Sequence, residues 1–303
     1  METNSERIPF CSSLKEAVSL ACGAEAAIEK KQTVHGGDAN DAYELFLSDG
    51  KRLFLKTNRI SNADFFRAEA EGVAAIRATE TIRVPHIHAL GTGDGISFIL
   101  MEYIDRAGAG RDFWEELGVS LAALHKAETS SFVNGGKYGF KSDNYIGAGR
   151  QKNTPGNSWI EFFSECRLRP QLELASDYFD SSTIMKANRL LDSLDRFLYE
   201  PERPSLLHGD LWSGNFMSDE TGHPMLIDPA VYVGCNEADI AMTELFGGFD
   251  KRFYASYFKA MGAIPEYEGR RDLYNLYHLT NHLNLFGGAY LPAVMRTIER
   301  YSK

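Results

Sequence analysis

The run His208-Gly-Asp-Leu-Trp-Ser-Gly-Asn215, followed thirteen residues later by Asp228 in Leu-Ile-Asp-Pro, limits this chain more than any other feature. Asp210 sits in a polar turn after the apolar Ser205-Leu-Leu207, and Asp228 closes the apolar Pro224-Met-Leu-Ile227. An aspartate placed to take a proton from a hydroxyl, an amide oxygen that can ligate a cation and a second carboxylate are the parts needed to move a phosphoryl group.

The spacing has a chemical reason. Phosphoryl transfer leaves little covalent work for a protein, so catalysis is mostly in-line positioning of two oxygens plus neutralisation of charge on the phosphates. The two carboxylates therefore take different work. Asp210 accepts or orients the acceptor hydroxyl's proton. Asp228 is held against Mg2+, a hard cation that prefers oxygen ligands, and Asn215 supplies a neutral amide oxygen without crowding a third carboxylate beside Asp210. Asp210 is thus the expected base, with Asn215 and Asp228 as metal ligands.

Composition narrows the class. At 303 residues and 44% hydrophobic residues the chain can bury a substantial core, in one large domain or two lobes. It has no uninterrupted apolar stretch of about 18 residues, and the N-terminal Met-Glu-Thr-Asn-Ser-Glu-Arg lacks a secretory pattern. A cytoplasmic protein without membrane contact is expected. Cys11, Cys22, Cys166 and Cys235 are scattered without a Cys-x-x-Cys pair, which reads as reduced thiols rather than disulfides or a zinc site. A net charge of -10 argues against a nucleic-acid partner, and is read as solubility before it is read as preference for a cationic substrate.

A strand-rich first third precedes a helical remainder. Ser13-Leu-Lys-Glu16 is a capping box that predicts a helix from Leu14 to Cys22, stopped by Gly23. Strands over Ala42–Ser48 and Lys51–Thr57 flank the turn Asp49-Gly50. A helix over Ala63–Ala78 follows, then Ile87–Leu90 paired with Ile96–Tyr103. Phe113, Leu117, Leu121 and Leu124 open the second part at helical spacing. Further helices are predicted over Trp159–Ser176, Ile184–Tyr199, Glu237–Phe246, Lys251–Met261, Arg270–Phe286 and Ala293–Tyr301. The Gly/Asn/Ser-rich loop from Ser130 to Asn157 is longer than a connection requires and points to binding.

The first third supplies the remaining parts. Strand alternation puts Leu53, Leu55 and Thr57 on one face and Phe54 with Lys56 on the other, where the lysine can hold the α and β phosphates of ATP. Glu69 is the expected anchor of that lysine, with Glu71 as its nearest competitor. The turn His35-Gly36-Gly37 is a candidate phosphate cover, because glycine lets backbone N–H groups approach an anion. Leu100-Met101-Glu102-Tyr103-Ile104 ends the last strand and is expected to hinge, with backbone groups of Glu102 and Tyr103 facing the adenine.

Taken with Leu121-Ala-Ala-Leu-His125-Lys126, Tyr138-Gly-Phe140, Asp143-Asn-Tyr-Ile-Gly147, Trp159, Arg167-Leu168, Leu245-Phe-Gly-Gly-Phe249 and Asn281-His-Leu-Asn-Leu-Phe-Gly287, the sequence resembles the fructosamine-3-kinase and ketosamine-3-kinase family over nearly its whole length. Trp212 and Asp143-Asn144 are the marks that separate that branch from antibiotic kinases. The resemblance implies an α+β, bilobal protein-kinase-like fold. Residues 1–102 would form a small antiparallel-sheet N-lobe that binds nucleotide with one main helix. Residues 103–303 would form a larger helical C-lobe with the catalytic loop and substrate site.

It also implies ATP-dependent phosphorylation of the 3-hydroxyl of a sugar joined through its first carbon to an amine. The phosphorylated adduct then breaks down and frees the amine, a deglycation repair. The partner is a small-molecule ketosamine or a glycated protein lysine, with ribulosamine preferred over fructosamine, and the chain is expected to be a monomer or weak homodimer. An aminoglycoside- or choline-type kinase would share the core Lys56, Asp210, Asn215 and Asp228 and is the alternative.

Beside the resemblance, Trp212 offers a flat face to the sugar or the cationic amine, or else plugs the cleft floor. Asp143 and Asn144 bind the substrate or order the long loop. His125 and His208 are expected to pack the catalytic loop, and Asp239 to anchor it from the following helix. Two positions depart from the family pattern. Asp38 stands where many members carry a cysteine, and Val233-Gly234-Cys235 replaces Tyr-Gly-His.

Overall fold

Ser13 starts the first helix because its Oγ accepts the Glu16 N–H at 3.2 Å, while the Glu16 carboxylate reaches back to the Ser12 N–H at 2.8 Å. In the computed structural model, which describes residues 8–34 and 40–303, the chain then runs as follows. β1 (Phe10–Cys11) and α1 (Leu14–Cys22) lead into β2 (Ile28–Val34), β3 (Asp41–Leu47) and β4 (Arg52–Arg59). α2 (Ala63–Arg77), β5 (Ile87–Gly93), β6 (Ile96–Glu102) and α3 (Phe113–Lys126) come next. The long loop carries the short hairpin β7 (Asn144–Ile146) and β8 (Gly149–Gln151), and α4 (Trp159–Phe163), α5 (Arg169–Leu174) and α6 (Ser181–Asp192) follow it. β9 (Ser205–Leu207), β10 (Phe216–Ser218), β11 (Pro224–Leu226) and β12 (Tyr232–Gly234) precede α7 (Glu237–Leu245), α8 (Lys251–Met261), α9 (Tyr267–Phe286) and α10 (Leu291–Tyr301).

The chain divides into two compact units, Met1–Phe113 with Met217–Asp228, and Trp114–Phe216 with Pro229–Lys303. This corrects the expected division after residue 102. The hairpin that ends at Asp228 joins the first unit because the Ala107 N–H donates to the Asp219 carbonyl at 3.1 Å and the Gly110 N–H to the Gly222 carbonyl at 3.0 Å. Ser218 Oγ also donates to the Ala107 carbonyl.

The first unit holds a sheet of order β1-β5-β6-β4-β3-β2, antiparallel except for the β1–β5 pair. The β3–β4 turn falls at Asp49-Gly50, with Gly50 at φ 82°. On one face, Leu45, Leu47, Leu53, Leu55, Phe98 and Leu100 pack with Ala17 and Val18 of α1. The period of two in β4 has therefore sent both its leucines to one core, at about 1.5–3 kcal/mol for each side chain buried.

In the second unit, two expected helices differ from the sequence reading. The helix predicted over Trp159–Ser176 is broken by a π turn at Ser164–Leu168 between α4 and α5. Pro170 has no N–H for the Cys166 carbonyl and its ring crowds that group, so the backbone widens there. Arg167 Nη1 donates to the Cys166 carbonyl at 2.9 Å instead. The helix predicted from Ile184 starts earlier, at Ser181, because Asp180 Oδ1 caps the Thr183 N–H at 2.7 Å, and it ends at Asp192.

Glu237 of α7 and Arg270 of α9 form a bidentate pair, at 2.8 and 2.7 Å, with side-chain exposures of 0% and 8%. Tyr199 Oη donates to the same carboxylate at 2.9 Å. Glu237→Ala leaves a guanidinium without its anion in a dry site, so it should cost about 3–5 kcal/mol. Urea unfolding of the variant beside the wild-type protein measures this, and a loss under about 1 kcal/mol would show that the pair is not a fastening of the fold.

Candidate active site

Lys56 lies on β4 between Ala42 of β3 and Ile99 of β6, opposite the leucine face, and only 8% of it is exposed. Its ammonium donates to Glu69 Oε1 at 2.7 Å and to Asp228 Oδ1 at 2.5 Å. Burial acts to lower its pKa, but the Asp228 and Glu69 carboxylates outweigh burial and hold it above the ordinary lysine value. Glu69 is thus the lysine's anchor, and Glu71, one of the exposed positions of α2, is not.

Asp228 follows β11 with φ 53°, a left-handed conformation that aspartate tolerates better than most residues. Its side chain is 48% exposed. One oxygen thus faces Lys56 on a carboxylate that remains open to a ligand.

The strand end Met101–Ile104 is arranged partly against expectation. Met101 is buried, and the Glu102 N–H donates to the His86 carbonyl at 2.9 Å while Glu102 Oε1 accepts the His86 N–H at 2.7 Å. The Glu102 N–H is therefore committed to His86, whereas the expectation had Glu102 backbone groups facing the adenine. Arg52 stacks over the Tyr103 ring at 4.5 Å and pairs with Glu44 at 2.9 Å and with Asp105, which fixes the start of this segment. Gly36, Gly37 and Asp38 lie outside the described residues.

In the second unit the run from His208 to Asn215 is held from behind by Asp239. Its Oδ2 accepts the His208 N–H at 2.7 Å and its Oδ1 accepts the Gly209 N–H at 2.9 Å. His125 Nε2 lies 3.1 Å from Oδ2, and His125 Nδ1 meets Tyr257 Oη at 2.8 Å. Burial pushes the Asp239 carboxyl up, and hydrogen bonding and charge from His125, with the His208 and Gly209 groups, more than offset this and hold it below the usual range. Both histidines are wholly buried, so they pack the loop as expected.

Gly209 has φ 82°, and a Cβ there would come within 2.0 Å of the Ala230 carbonyl oxygen. Only glycine allows this crossing. Asn215 Nδ2 donates to the Asp210 carbonyl at 2.7 Å and to Asp210 Oδ2 at 3.2 Å. The amide's two donors are turned to Asp210, which leaves its Oδ1 as the atom able to ligate a cation. Trp212 is 40% exposed and its ring lies across Gly214, where a Cβ would meet it at 2.4 Å. A ring so open is no plug, and it presents a face to solvent.

Of the two roles left open for Asn144, the hydrogen bonds supply the ordering of the loop. Asn144 is 4% exposed, its Nδ2 donates to the Val231 carbonyl at 2.7 Å, and its Oδ1 accepts from Gln151 and from Asn153, both at 2.8 Å. Its polar atoms are spent on ordering the loop. Asp143 is exposed, with Oδ1 accepting the Asn153 N–H at 2.7 Å.

Sequence reasoning gave no role to the groups that carry this loop. Gln151 Nε2 donates to the Ala230 carbonyl at 2.9 Å and its Oε1 accepts from Tyr277 Oη at 2.8 Å. Arg167, with no exposed surface, donates to Asn153 Oδ1 at 2.8 Å and to the Lys152 carbonyl at 2.5 Å, and lies 3.8 Å from the centre of the Tyr232 ring. The motif Arg167-Leu168 was the available signal. Cys235 is buried, and its thiol is pushed up to about 12 by burial and then by Glu237, so this departure from the family pattern is chemically inert.

The profile of the fructosamine kinase family matches residues 11–303. A protein-ribulosamine 3-kinase of the Arabidopsis thaliana chloroplast is 44% identical over 286 residues, covering 93% of this chain and 85% of its own. A Synechocystis protein named a probable ketoamine kinase is 41% identical over 293 residues, with 95% of each chain covered. Among solved structures, a protein of Haemophilus somnus provisionally named fructosamine-3-kinase superposes with a TM-score of 0.84 at 27% identity, over 95% of this chain and 96% of that one. The choline kinase LicA of Streptococcus pneumoniae shares the fold alone, at a TM-score of 0.60 and 13% identity over 94% of this chain and 96% of that one. This chain shares its α+β kinase-like fold with both solved structures.

Two outcomes follow from the loop. Gly209→Ala should lower turnover at least about a hundredfold, the scale of a 1 Å misplacement, whereas Gly95→Ala, at φ 81° with nothing within 4 Å of the new Cβ, should leave turnover intact. Circular dichroism establishes that both fold, and equal turnover in the two would remove the steric argument. Because the Asp239 pKa is depressed on folding, its stabilisation is complete above the unfolded value of about 4 and is lost as pH falls through the lower folded value. Asp239→Asn should flatten the acid limb of a plot of urea midpoint against pH, and an unchanged limb would show that the carboxylate is not what titrates.

Proposed function

The chain belongs to the fructosamine kinase family, and from that membership we propose that it moves the γ-phosphoryl group of ATP to the 3-hydroxyl of a ketosamine, most readily a ribulosamine adduct. It is an ATP-dependent phosphotransferase. The observation that carries the reading is the Asn215 amide turned onto Asp210, which sorts the two groups into a proton acceptor and a cation ligand.

The residues divide the work as follows. Asp210 orients the 3-hydroxyl and accepts its proton as the oxygen attacks phosphorus. Lys56, kept as an ammonium by Glu69 and Asp228, binds the α and β phosphates as a point charge. The donor set fits Mg2+, since Asp228 and Asn215 Oδ1 offer hard oxygens and no sulfur or imidazole, and Mg2+ bound there would neutralise charge on the phosphates. Tyr103 and Ile104 take the nucleobase through their backbone. Trp212 packs its open face on the sugar or the cationic amine, and Asp143, an exposed carboxylate, pairs with that amine, a role its exposure allows. The 3-phosphate is then a leaving group whose loss frees the amine, a deglycation repair that suits small ketosamines and glycated protein lysines alike. No helix among the described residues is long and apolar enough to cross a membrane.

Asp210→Asn should leave ADP binding near its wild-type value and cut ketosamine turnover by roughly two orders of magnitude or more. The wild-type enzyme should show higher kcat/KM for ribulosamine than for fructosamine, and chelation of Mg2+ should abolish both activities. Near wild-type turnover by Asp210→Asn would sink the assignment of the base. Turnover of choline or an aminoglycoside but of no ketosamine would sink the substrate class.

A further inference from the structure

We propose that Arg83 is a positioning residue that couples the nucleobase end of the first unit to its metal-binding end, an inference that rests on the site reading given above. Its backbone sets the strand that leads to Asp228. The Arg83 carbonyl accepts the Leu226 N–H at 2.9 Å, and Arg83 bridges in parallel to Met225. The register of β11, two residues ahead of Asp228, is therefore taken from Arg83.

Its side chain reaches the two ends separately. Nη1 donates to Asp219 Oδ2 at 2.8 Å and to Glu220 at 2.9 Å, both in the turn of the β10–β11 hairpin. Nη2 lies 3.4 Å from Glu102 Oε2. Glu102 is tied in turn to the His86 backbone, at the strand end from which Tyr103 and Ile104 leave. Asp219 is not a loose surface partner. Its side chain is 7% exposed, and its Oδ1 accepts the Thr221 N–H at 2.9 Å, Thr221 Oγ1 at 2.7 Å and the His223 N–H at 3.0 Å. The guanidinium thus grips a rigid turn on one side and the nucleobase segment on the other.

An exposed ion pair alone would count for little. Here a planar fork with several donors meets three carboxylates at once, from two separate nitrogens, a spread that the compact point charge of a lysine does not reproduce. When a nucleobase settles against Tyr103 and Ile104, Glu102 is the adjoining residue, and Arg83 carries its position to the hairpin that presents Asp228. Loss of the fork should therefore weaken the benefit that Mg2+ gives to nucleotide binding and leave the acceptor unaffected.

The experiment is calorimetric titration of ADP into the full-length wild-type, Arg83→Lys and Arg83→Met proteins, each with Mg2+ and again with EDTA. The expected result is that the Mg2+-dependent gain in ADP affinity falls at least about fivefold in Arg83→Met, the lower end of ordinary coupling between sites, and is partly recovered in Arg83→Lys. KM for the ketosamine should stay within about twofold, the order of effect that leaves a binding interaction intact. If Arg83→Met lowers the melting temperature but keeps the full Mg2+ gain, Arg83 is only a brace and the proposal is overturned. Should Arg83→Met not fold, Glu220→Gln removes one arm of the cluster from its exposed corner. It should lower the gain about twofold, the fraction of a kcal/mol that an exposed pair is worth, and an unchanged gain would overturn the proposal equally. Failure of the wild-type protein to phosphorylate any ketosamine would overturn the functional reading instead, since the ADP titration involves no acceptor.

Discussion

The Asp239 carboxylate accepts two consecutive backbone N–H groups, from His208 and Gly209, just before the chain turns left-handed at Gly209. Paired N–H groups of this kind form a concave anion site that usually serves a ligand. Here the protein fills it with its own buried side chain. The loop cannot relax without stranding a carboxylate that has lost its water, and a stranded charge is far more costly than a lost neutral hydrogen bond. Asp210 is the next residue, so its placement inherits that rigidity. A second support comes from Gln151 on the Ala230 carbonyl, the same oxygen that excludes any side chain at Gly209. Preorganisation of the proposed base thus rests on groups buried behind the loop.

The first unit solves a different problem, that of keeping a cation in a nearly dry position. Lys56 is neutralised twice over, by Glu69 from the helix and by Asp228 from the returning hairpin. The pair with Glu69 lies inside the unit, with 10% and 15% of the two side chains exposed, whereas Asp228 is half open. The inner carboxylate therefore fixes the lysine, and the outer one keeps half of its side chain open to solvent.

The features legible in the sequence were those that depend on neighbours along the chain. Alternation in β4 gave the face of Lys56, the Asp49-Gly50 turn gave the hairpin, and Ser13 with Glu16 gave the first helix start. The Glu69 partner was also legible, since a buried strand lysine requires an anion. What escaped depended on which distant segments meet. Nothing local to Asn144 says that the Val231 carbonyl will lie 2.7 Å away, so its amide read equally well as a sugar ligand. The π turn was hidden because Pro170 could be read as a tolerated first-turn proline rather than as the cause of a widened backbone four residues earlier. The residues around Asp228 read as part of the helical half by their position in sequence, yet their hydrogen bonds run to Ala107 and Gly110.

That last feature sets an order on synthesis. The first unit lacks its final hairpin until Asp228 has been made, about a hundred residues after Phe113, which at ordinary translation rates is a delay of roughly 5–20 s. During that interval Lys56 has Glu69 but not Asp228, and the two hairpin carboxylates that meet Arg83 do not yet exist. Most of the sheet can assemble from the residues already present, but its closing contacts arrive only after the chain has passed through most of the other unit. A nascent chain released before Asp228 would carry an intact lysine and glutamate without the second carboxylate, and the N-terminal unit is in this sense a module that sequence order prevents from being inherited whole.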